Sequence, residues 1–271
     1  MTADPQACAG LGSGRPAVAL EARLRGCRNV ITLGVRPNFS DYSDTDAALI
    51  REAEKIYYPS IYYIDMFNAM GKKTFPSAHT YRFVQDKIKQ TTLFQLLKVP
   101  VPRTRFFYGR HKHEKIRQHF DFPFVAKVAR GSALGRGVYL ITNRAELDRY
   151  CDISRVAYIQ EYLRVDRDIR VVVIGRHARH AYWRVGSSGD FRNNIEQGGR
   201  IRLDGVPPAA VSLAVDTARR CGWNDVGLDI CVLDGRFYVL EANMKYGKQG
   251  FRAAGIDYTE LMEELVRNEA I

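Results

Sequence analysis

The sequence predicts an α+β fold in which antiparallel strands alternate with short helices. Three observations carry that expectation. Short apolar runs rich in β-branched and aromatic residues recur through the middle of the chain, at 104–108, 123–128, 138–142, 156–162, 168–174 and 180–185. Helical spacing appears in short pieces between them. The segment "GLDICVLDGRFYVLEAN" (227–243) reads as two strands flanking an Asp234-Gly235 turn.

Each element follows from local chemistry. Residues 1–27, with "GLGSGRPA", are expected to form a mobile tail. A reduced α/β region follows over 28–79, with a strand at "NVITLG" (29–34) and a helix over 43–56 opened by the cap signal of "SDTD". "TYRFVQDKIKQTTLFQLLK" (80–98) has the pattern of one longer helix, stopped by "VPVP". With helices at 113–119 and 144–150, the strands up to 160 make a small lobe over 80–160. The later strands, a helix at 207–221 opening on Pro207 and Pro208, the hairpin and a closing helix at 257–270 make a larger lobe over 161–271. In the closing helix Asp257 and Glu260 stand at capping-box spacing.

Composition bounds the function. The 271 residues are 46% hydrophobic, enough for a sizeable core in one multi-lobed unit or two to three subdomains. No apolar run is long enough to span a bilayer, and "MTADPQACAG" lacks a secretory pattern, so a cytoplasmic location is expected. The five cysteines are scattered, with no CxxC pair, which argues against a disulfide framework or a zinc site. The formal charge of +11 favours an anionic partner. Much of it lies in "RTRFFYGRHKHEKIRQHF" (103–120), which reads as a solvated helical face in preference to a nucleic-acid surface.

The hairpin holds the sharpest chemical signal. In a strand alternate residues share a face, which puts Leu228, Ile230 and Val232 with Tyr238, Leu240 and Ala242 on a core side. Asp229 takes the other side, with Val239, Glu241 and Asn243. A plain two-residue turn would leave Glu241 on the wrong face; a three-residue turn, or a bulge at Gly235, sets Asp229 opposite Glu241. Two carboxylates and an amide on one face suit Mg²⁺ completed by substrate phosphates, or are solvated acids on an open sheet face.

Other segments add to it. "FPFVAKVARGSALGRGV" (122–138) ends a strand on Lys127 and continues into a loop with Gly131, Gly135 and Gly137, which can bring backbone N–H groups to phosphate oxygens. It lacks GxxxxGK[ST], so a Walker P-loop is excluded. "YIQEYLRVDRDIRVVVIG" (158–175) is a strand, a polar link and a strand, able to present backbone groups to an adenine edge. "YWRVGSSGDFRNNIEQGGR" (182–200) gathers Arg184, Arg192, Asn193 and Asn194 among glycines.

In this order these motifs resemble the ATP-grasp superfamily, and most closely its RimK-like branch, over about residues 80–250. The resemblance implies two α+β lobes clasping ATP. Lys87 and Lys127 would contact phosphates under the loop of Gly131, Ser132, Gly135 and Gly137. Glu161, Tyr162 and Leu163 would hold the adenine and Asp168 the ribose. Arg192, Arg184 and Asn194 would serve the transferred phosphate, and Asp229, Glu241 and Asn243 would bind Mg²⁺, with Mn²⁺ as a substitute. It implies an ATP-dependent carboxylate–amine ligase working through an acylphosphate. The acceptor would be an amino acid, an acidic peptide or a small acidic carrier protein. The rival readings are an ATP-grasp kinase that phosphorylates a hydroxyl and a non-catalytic basic binding module. In "MKYGKQGF" Met244, Lys245 and Tyr246 depart from the small Ser/Pro-rich segment of ribosomal-protein ligases, and are expected to change the wall facing the acceptor.

Overall fold

The structure is a computed structural model that describes residues 17–131, 137–186 and 199–271. Two units divide the chain, the first being Met1–Arg82 with Gly255–Ile271 and the second Phe83–Ala254. In the first, four very short strands, β1 (Ala17–Ala19), β2 (Val30–Thr32), β3 (Lys55–Tyr57) and β4 (Lys73–Phe75), form a parallel sheet in the order β2-β1-β3-β4. Between and after them run α1 (Asp44–Glu52), α2 (Ser60–Ala69) and α3 (Ala78–Arg82). Val18, Leu20 and Ile56 pack against Ile50, Tyr63 and Phe67. Ser43 caps α1 by accepting from the Asp46 N–H at 3.1 Å. The C-terminal helix, Tyr258–Arg267, is capped by Asp257, and its Glu263 accepts from the Arg28 backbone N–H at 2.6 Å and from Arg28 Nη2 at 3.1 Å.

Three expectations are corrected here. The stretch read as a tail contains β1, an inner strand of the sheet, and 1–16 lie outside the described residues. Residues from Gly255 onward join the first unit and do not extend the second. The single helix expected over 80–98 is α3 plus a separate helix, α4 (Lys87–Leu96). The break is chemical: Gln85 adopts a left-handed φ of 54°, and Asp86 caps the restart by accepting from the Lys89 N–H at 3.0 Å.

In the second unit, β5 (Thr104–Phe107), α5 (Lys112–Arg117), β6 (Phe124–Lys127), β7 (Val138–Ile141), α6 (Arg144–Ile153) and β8 (Ala157–Glu161) build an antiparallel sheet in the order β5-β8-β6-β7. Ile116, Leu147 and Tyr150 cover its apolar face at Phe107, Phe124, Ala126 and Ile159. The chain then forms β9 (Arg167–Ile174), β10 (His177–Val185), β11 (Arg200–Arg202), α7 (Pro208–Cys221), β12 (Asp225–Leu233), β13 (Arg236–Asn243) and α8 (Gln249–Ala253). The five strands form an antiparallel sheet, β11-β10-β9-β12-β13. Ile169, Val171, Val173, Leu228 and Ile230 are buried with Ala210, Ala214 and Ala218 of α7 and Phe94 of α4. One face of this sheet is therefore a core, which leaves the alternate side chains to the other face.

The hairpin reaches its pairing by a different route from the expected one. Leu233 pairs with Arg236 around a two-residue turn in which Asp234 and Gly235 have φ of 49° and 72°, the left-handed pair that such a turn requires. Parity is restored further up, where the register shifts between Asp229 and Ile230: Asp229 faces Glu241, and Ile230 faces Val239. Leu240 is the extra residue of a bulge. Consequently Phe237 and Val239 join the core, where Tyr238 and Leu240 were expected.

Candidate active site

The face turned away from α7 carries a run of charged side chains at matched strand positions. Asp168 on β9 is opposite Arg184 on β10, and Arg170 on β9 is opposite Asp229 on β12. Gly227 faces Asn243 and Asp229 faces Glu241 across the β12–β13 ladder. Cross-strand neighbours sit close enough for short side chains to touch, so register alone gathers the group.

Asp229 is the centre of it. Arg170 binds it in a fork, Nε to Oδ1 and Nη2 to Oδ2, the latter at 3.0 Å. Arg184 Nη2 lies 2.8 Å from Asp229 Oδ2, and Arg184 Nε donates to Asp168 Oδ1 at 2.7 Å. Asn243 Nδ2 donates to Asp229 Oδ2 at 3.2 Å, which turns the amide oxygen of Asn243 away from that carboxylate. All four ionic side chains are buried. Burial pushes the Asp229 carboxyl up, but the two guanidinium charges and their hydrogen bonds outweigh it and hold Asp229 below the usual carboxylate range. For Asp168 burial wins over Arg184, and its carboxyl is held above that range.

A glycine makes room for the fork. A Cβ at Gly227 would fall 3.0 Å from Arg170 Cδ and 3.0 Å from Tyr246 Cβ. Tyr246 is itself buried, its hydroxyl donating to Asp225 Oδ1 at 2.6 Å. Met244 joins the core, with Gln90 Nε2 3.7 Å from its sulfur. Of the three residues expected to reshape the acceptor wall, only Lys245 is exposed.

Lysines flank the acids. Lys87 opens α4, is buried, and its Nζ lies 3.7 Å from Glu241 Oε1. Lys127 ends β6, also buried, with Tyr158 under its ammonium at 5.6 Å. No carboxylate comes within ion-pair distance of Lys127 among the described residues, and burial lowers its pKa. The entrance of the glycine loop is tied to the start of α4: Lys87 N–H donates to Ala129 O at 3.0 Å, Gly131 N–H to Gln85 O at 3.2 Å, and Arg130 Nε to Asp86 Oδ2 at 3.0 Å. Gly137 closes the loop with a φ of 73° and accepts from Val128 N–H at 2.7 Å. Ser132 and Gly135 lie outside the described residues, as do Arg192, Asn193 and Asn194.

At the polar link, Glu161 Oε1 accepts from Arg103 N–H at 2.6 Å, and Leu163 O accepts from Val165 N–H at 3.0 Å. Tyr162 and Leu163 are half-buried. The basic run proves partly structural: Arg103 donates to His119 O at 2.9 Å and stacks on Phe120, while Arg117 stacks on Phe122 with its carbon 4.1 Å from the ring centre. Arg110, Lys112 and Lys115 have no acidic partner among the described residues.

Arg170 is the member of the group that sequence reading missed. The signal was present: Asp168 and Arg170 stand two apart within an apolar strand, the spacing that singled out Glu241 and Asn243. The donor chemistry of Asp229, Glu241 and Asn243, hard oxygens on one face with buried lysines beside them, fits a divalent cation held jointly with phosphates.

Comparison with known proteins gives a consistent family. Residues 84–266 match the RimK-like ATP-grasp domain. A probable alpha-L-glutamate ligase 2 of Pseudoalteromonas atlantica is 26% identical over 233 residues, 83% of this chain and 77% of that protein. A probable alpha-L-glutamate ligase of Saccharophagus degradans is 28% identical over 233 residues, again 83% and 77% of the two chains. Among solved structures, the ATP-grasp ligase PsnB with minimal precursor, Mg and ADP superposes with a TM-score of 0.70 at 16% identity, covering 94% of this chain and 98% of that one. D-alanine–D-alanine ligase from Bacillus anthracis superposes at 0.68 with 12% identity, covering 93% and 96%. These two share the fold. The chain belongs to the RimK-like ATP-grasp family and is an ATP-dependent ligase of the carboxylate–amine class.

Proposed function

We propose that this protein joins an acidic acceptor to an amine, with L-glutamate the first amine to test, at the charged face of the five-stranded sheet. The observation that carries the reading is the convergence of Asp229, Glu241 and Asn243 on one face beside Lys87. In this reading those three residues hold Mg²⁺, which neutralises phosphate charge when bound. Lys87 and Lys127 bind the nucleotide phosphates, and Lys127, buried without a carboxylate partner, is the cation most in need of an anion. The backbone of 161–163 would hold the adenine, and Asp168, bound through Oδ1 by Arg184 Nε, would serve the ribose hydroxyls.

The chemistry balances without a protein nucleophile. A carboxylate oxygen of the acceptor attacks the γ-phosphorus of ATP, the bond to the β-phosphate oxygen breaks, and ADP leaves. The amine then attacks the acyl carbon, phosphate departs with the C–O bond pair, and the amine loses a proton. Arg184, Arg192 and Asn194 are proposed to stabilise the charge that builds on the transferred phosphoryl group. The names of the two glutamate ligases support glutamate, and PsnB, solved with a precursor peptide and AMPPNP, supports testing peptides. Arg110, Lys112 and Lys115 support an acidic acceptor.

The test is a screen of amino acids and acidic peptides, with and without L-glutamate, for release of ADP and phosphate, with mass spectrometry of the product. Amine-dependent release of free phosphate and a product larger by the amine less water is expected. Phosphate retained on a hydroxyl would establish the kinase instead. For the acidic acceptor, Arg110→Glu with Lys115→Glu should lower kcat/KM for the acceptor and leave the KM for ATP unchanged, most clearly at low salt. Full efficiency at low salt would remove that part of the reading.

A further inference from the structure

The forked contact of Arg170 on Asp229 has a chemical consequence beyond the ligase reaction. A residue expected to hold a divalent cation is already saturated by cations of the protein. Arg170 occupies Asp229 from Nε and Nη2, Arg184 adds a third contact at 2.8 Å, and Asn243 a fourth at 3.2 Å. The buried group of Asp168, Asp229, Arg170 and Arg184 carries equal numbers of positive and negative charges before any ion arrives. Glu241, the other carboxylate of the set, faces Lys87 Nζ at 3.7 Å. A bare divalent ion entering such a site meets no uncompensated negative charge. A cation carried on a polyphosphate brings its own, and gives Lys87 and Lys127 an anion as well.

We infer that Arg170 is a positioning residue that holds and neutralises Asp229 until a cation arrives bound to a nucleotide, so that the site does not retain the free ion. The inference rests on the reading of Asp229, Glu241 and Asn243 as cation ligands. The sheet is built to keep Arg170 in place. It is the direct cross-strand neighbour of Asp229 on one side and of Tyr182 on the other, and the missing side chain at Gly227 leaves the slot through which its stem passes. Replacement of Arg170 by an apolar residue of similar length leaves Asp229 bonded to Arg184, so the carboxylate is not orphaned.

The test measures binding, without turnover. Mn²⁺ serves as the probe, followed by electron paramagnetic resonance and by calorimetry, with and without ADP. The native protein should bind Mn²⁺ tightly only when ADP is present. Arg170→Met should bind Mn²⁺ without ADP about tenfold tighter or more than the native chain does, the scale of one charge-assisted hydrogen bond. Arg170→Lys, which keeps the charge, should stay near the native value, and Arg170→Gln should follow Met if the Met variant does not fold. Circular dichroism and tryptophan fluorescence establish the fold of each. Unchanged or weaker Mn²⁺ binding by the neutral variants would overturn the inference, and so would a Lys variant that behaves like Met. Asp229→Asn separates the two readings. If it binds Mn²⁺ with ADP as the native chain does, Asp229 is not a cation ligand and the site reading fails. If it loses that binding while Arg170→Met changes nothing, only the role of Arg170 fails.

Discussion

Gly227→Ala tests the packing of the charged face without touching a charge. The new methyl carbon would lie 3.0 Å from Arg170 Cδ, 3.0 Å from Tyr246 Cβ and 3.3 Å from Arg170 Nη1. Carbon atoms pack comfortably at about 3.5–4.0 Å, so about half an ångström must be found. Tyr246 cannot supply it, because the atom concerned is next to the main chain and the ring is buried and bonded to Asp225. Arg170 must therefore yield, and a shift at Cδ swings the guanidinium off Asp229. Overpacking of this kind costs about 1–3 kcal/mol. Loss of part of a charged hydrogen-bond pair adds about 1 kcal/mol, since Arg184 remains in place. Against this, removing a glycine from a strand gains about 0.5–1 kcal/mol. The net is a loss of about 2 kcal/mol, or roughly 4–8 °C in Tm for a unit of this size. The assay is at hand, because both tryptophans, Trp183 and Trp223, lie in the second unit and their fluorescence reports its unfolding. A Tm equal to or above that of the native chain would show that the neighbours give way freely, and that the slot at Gly227 is not what holds Arg170.

Three further outcomes are expected. Glu241→Gln should lower Mg²⁺-dependent ADP release at least about a hundredfold and lower Tm by the equivalent of about 1–2 kcal/mol, because the amide keeps the shape but removes the charge that faces the buried Lys87 ammonium at 3.7 Å; a Mg²⁺ titration of ADP release together with a melt checks both halves. Lys127→Met should raise Tm by the equivalent of about 1 kcal/mol while weakening ATP binding by about tenfold or more, since burial disfavours the ammonium that phosphates would stabilise; calorimetry and a melt giving the opposite pairing would refute it. His180, in tilted ring contact with Tyr182 and Phe251 and bonded to Gly250 O at 2.9 Å, has its pKa lowered by burial from the ordinary 6.5. Below that value the unfolded chain takes up a proton that the folded chain resists, so stability should fall with pH by up to about 1.4 kcal/mol per unit from this one group; melts between neutral pH and mild acid should show a shallower slope for His180→Phe.

What could be read from the sequence depended on how many residues reported each feature. The long strands β9, β10, β12 and β13 run over eight or nine residues and were legible as strands, and the core face of β12 was read from its alternation, whereas that of β13 was read wrongly below the bulge. β1, β3 and β4 have three residues each, too few for a period to show, and their place in a parallel sheet depends on neighbours distant in sequence. α2 hid for another reason: Ile61, Tyr62 and Met66 are exposed apolar residues, so the helix lacks the polar face that marks an amphipathic one. At the site, the pairing of Asp229 with Glu241 followed from parity, but the position of the bulge did not. Leu240 has no conformational signature, whereas Gly235 invited a bulge at the turn and instead served an ordinary two-residue turn. Arg170 was overlooked because arginine at a strand position reads as solvated until its partner on the next strand is known.

The first half of α4, from Lys87 to Thr91, ties the two sheets of the second unit together. Gln90 accepts from Ala242 N–H at 3.3 Å and donates to Phe83 O at 2.8 Å, fastening the helix to the strand of Glu241 and Asn243. One residue on, Thr91 Oγ1 lies 2.8 Å from the Tyr158 hydroxyl, whose ring sits beneath Lys127 in the other sheet. The helix is thus an axle with a sheet bearing on either side, and Lys87 rides at its tip. A swing of the smaller sheet about it would move Lys127 relative to the acids, while Lys87 and Glu241 would travel as one piece. Slow amide exchange shared by α4 and β13, with faster exchange in β6 and β7, is the expected mechanical signature; equal rates in all four would mean that no such axle exists.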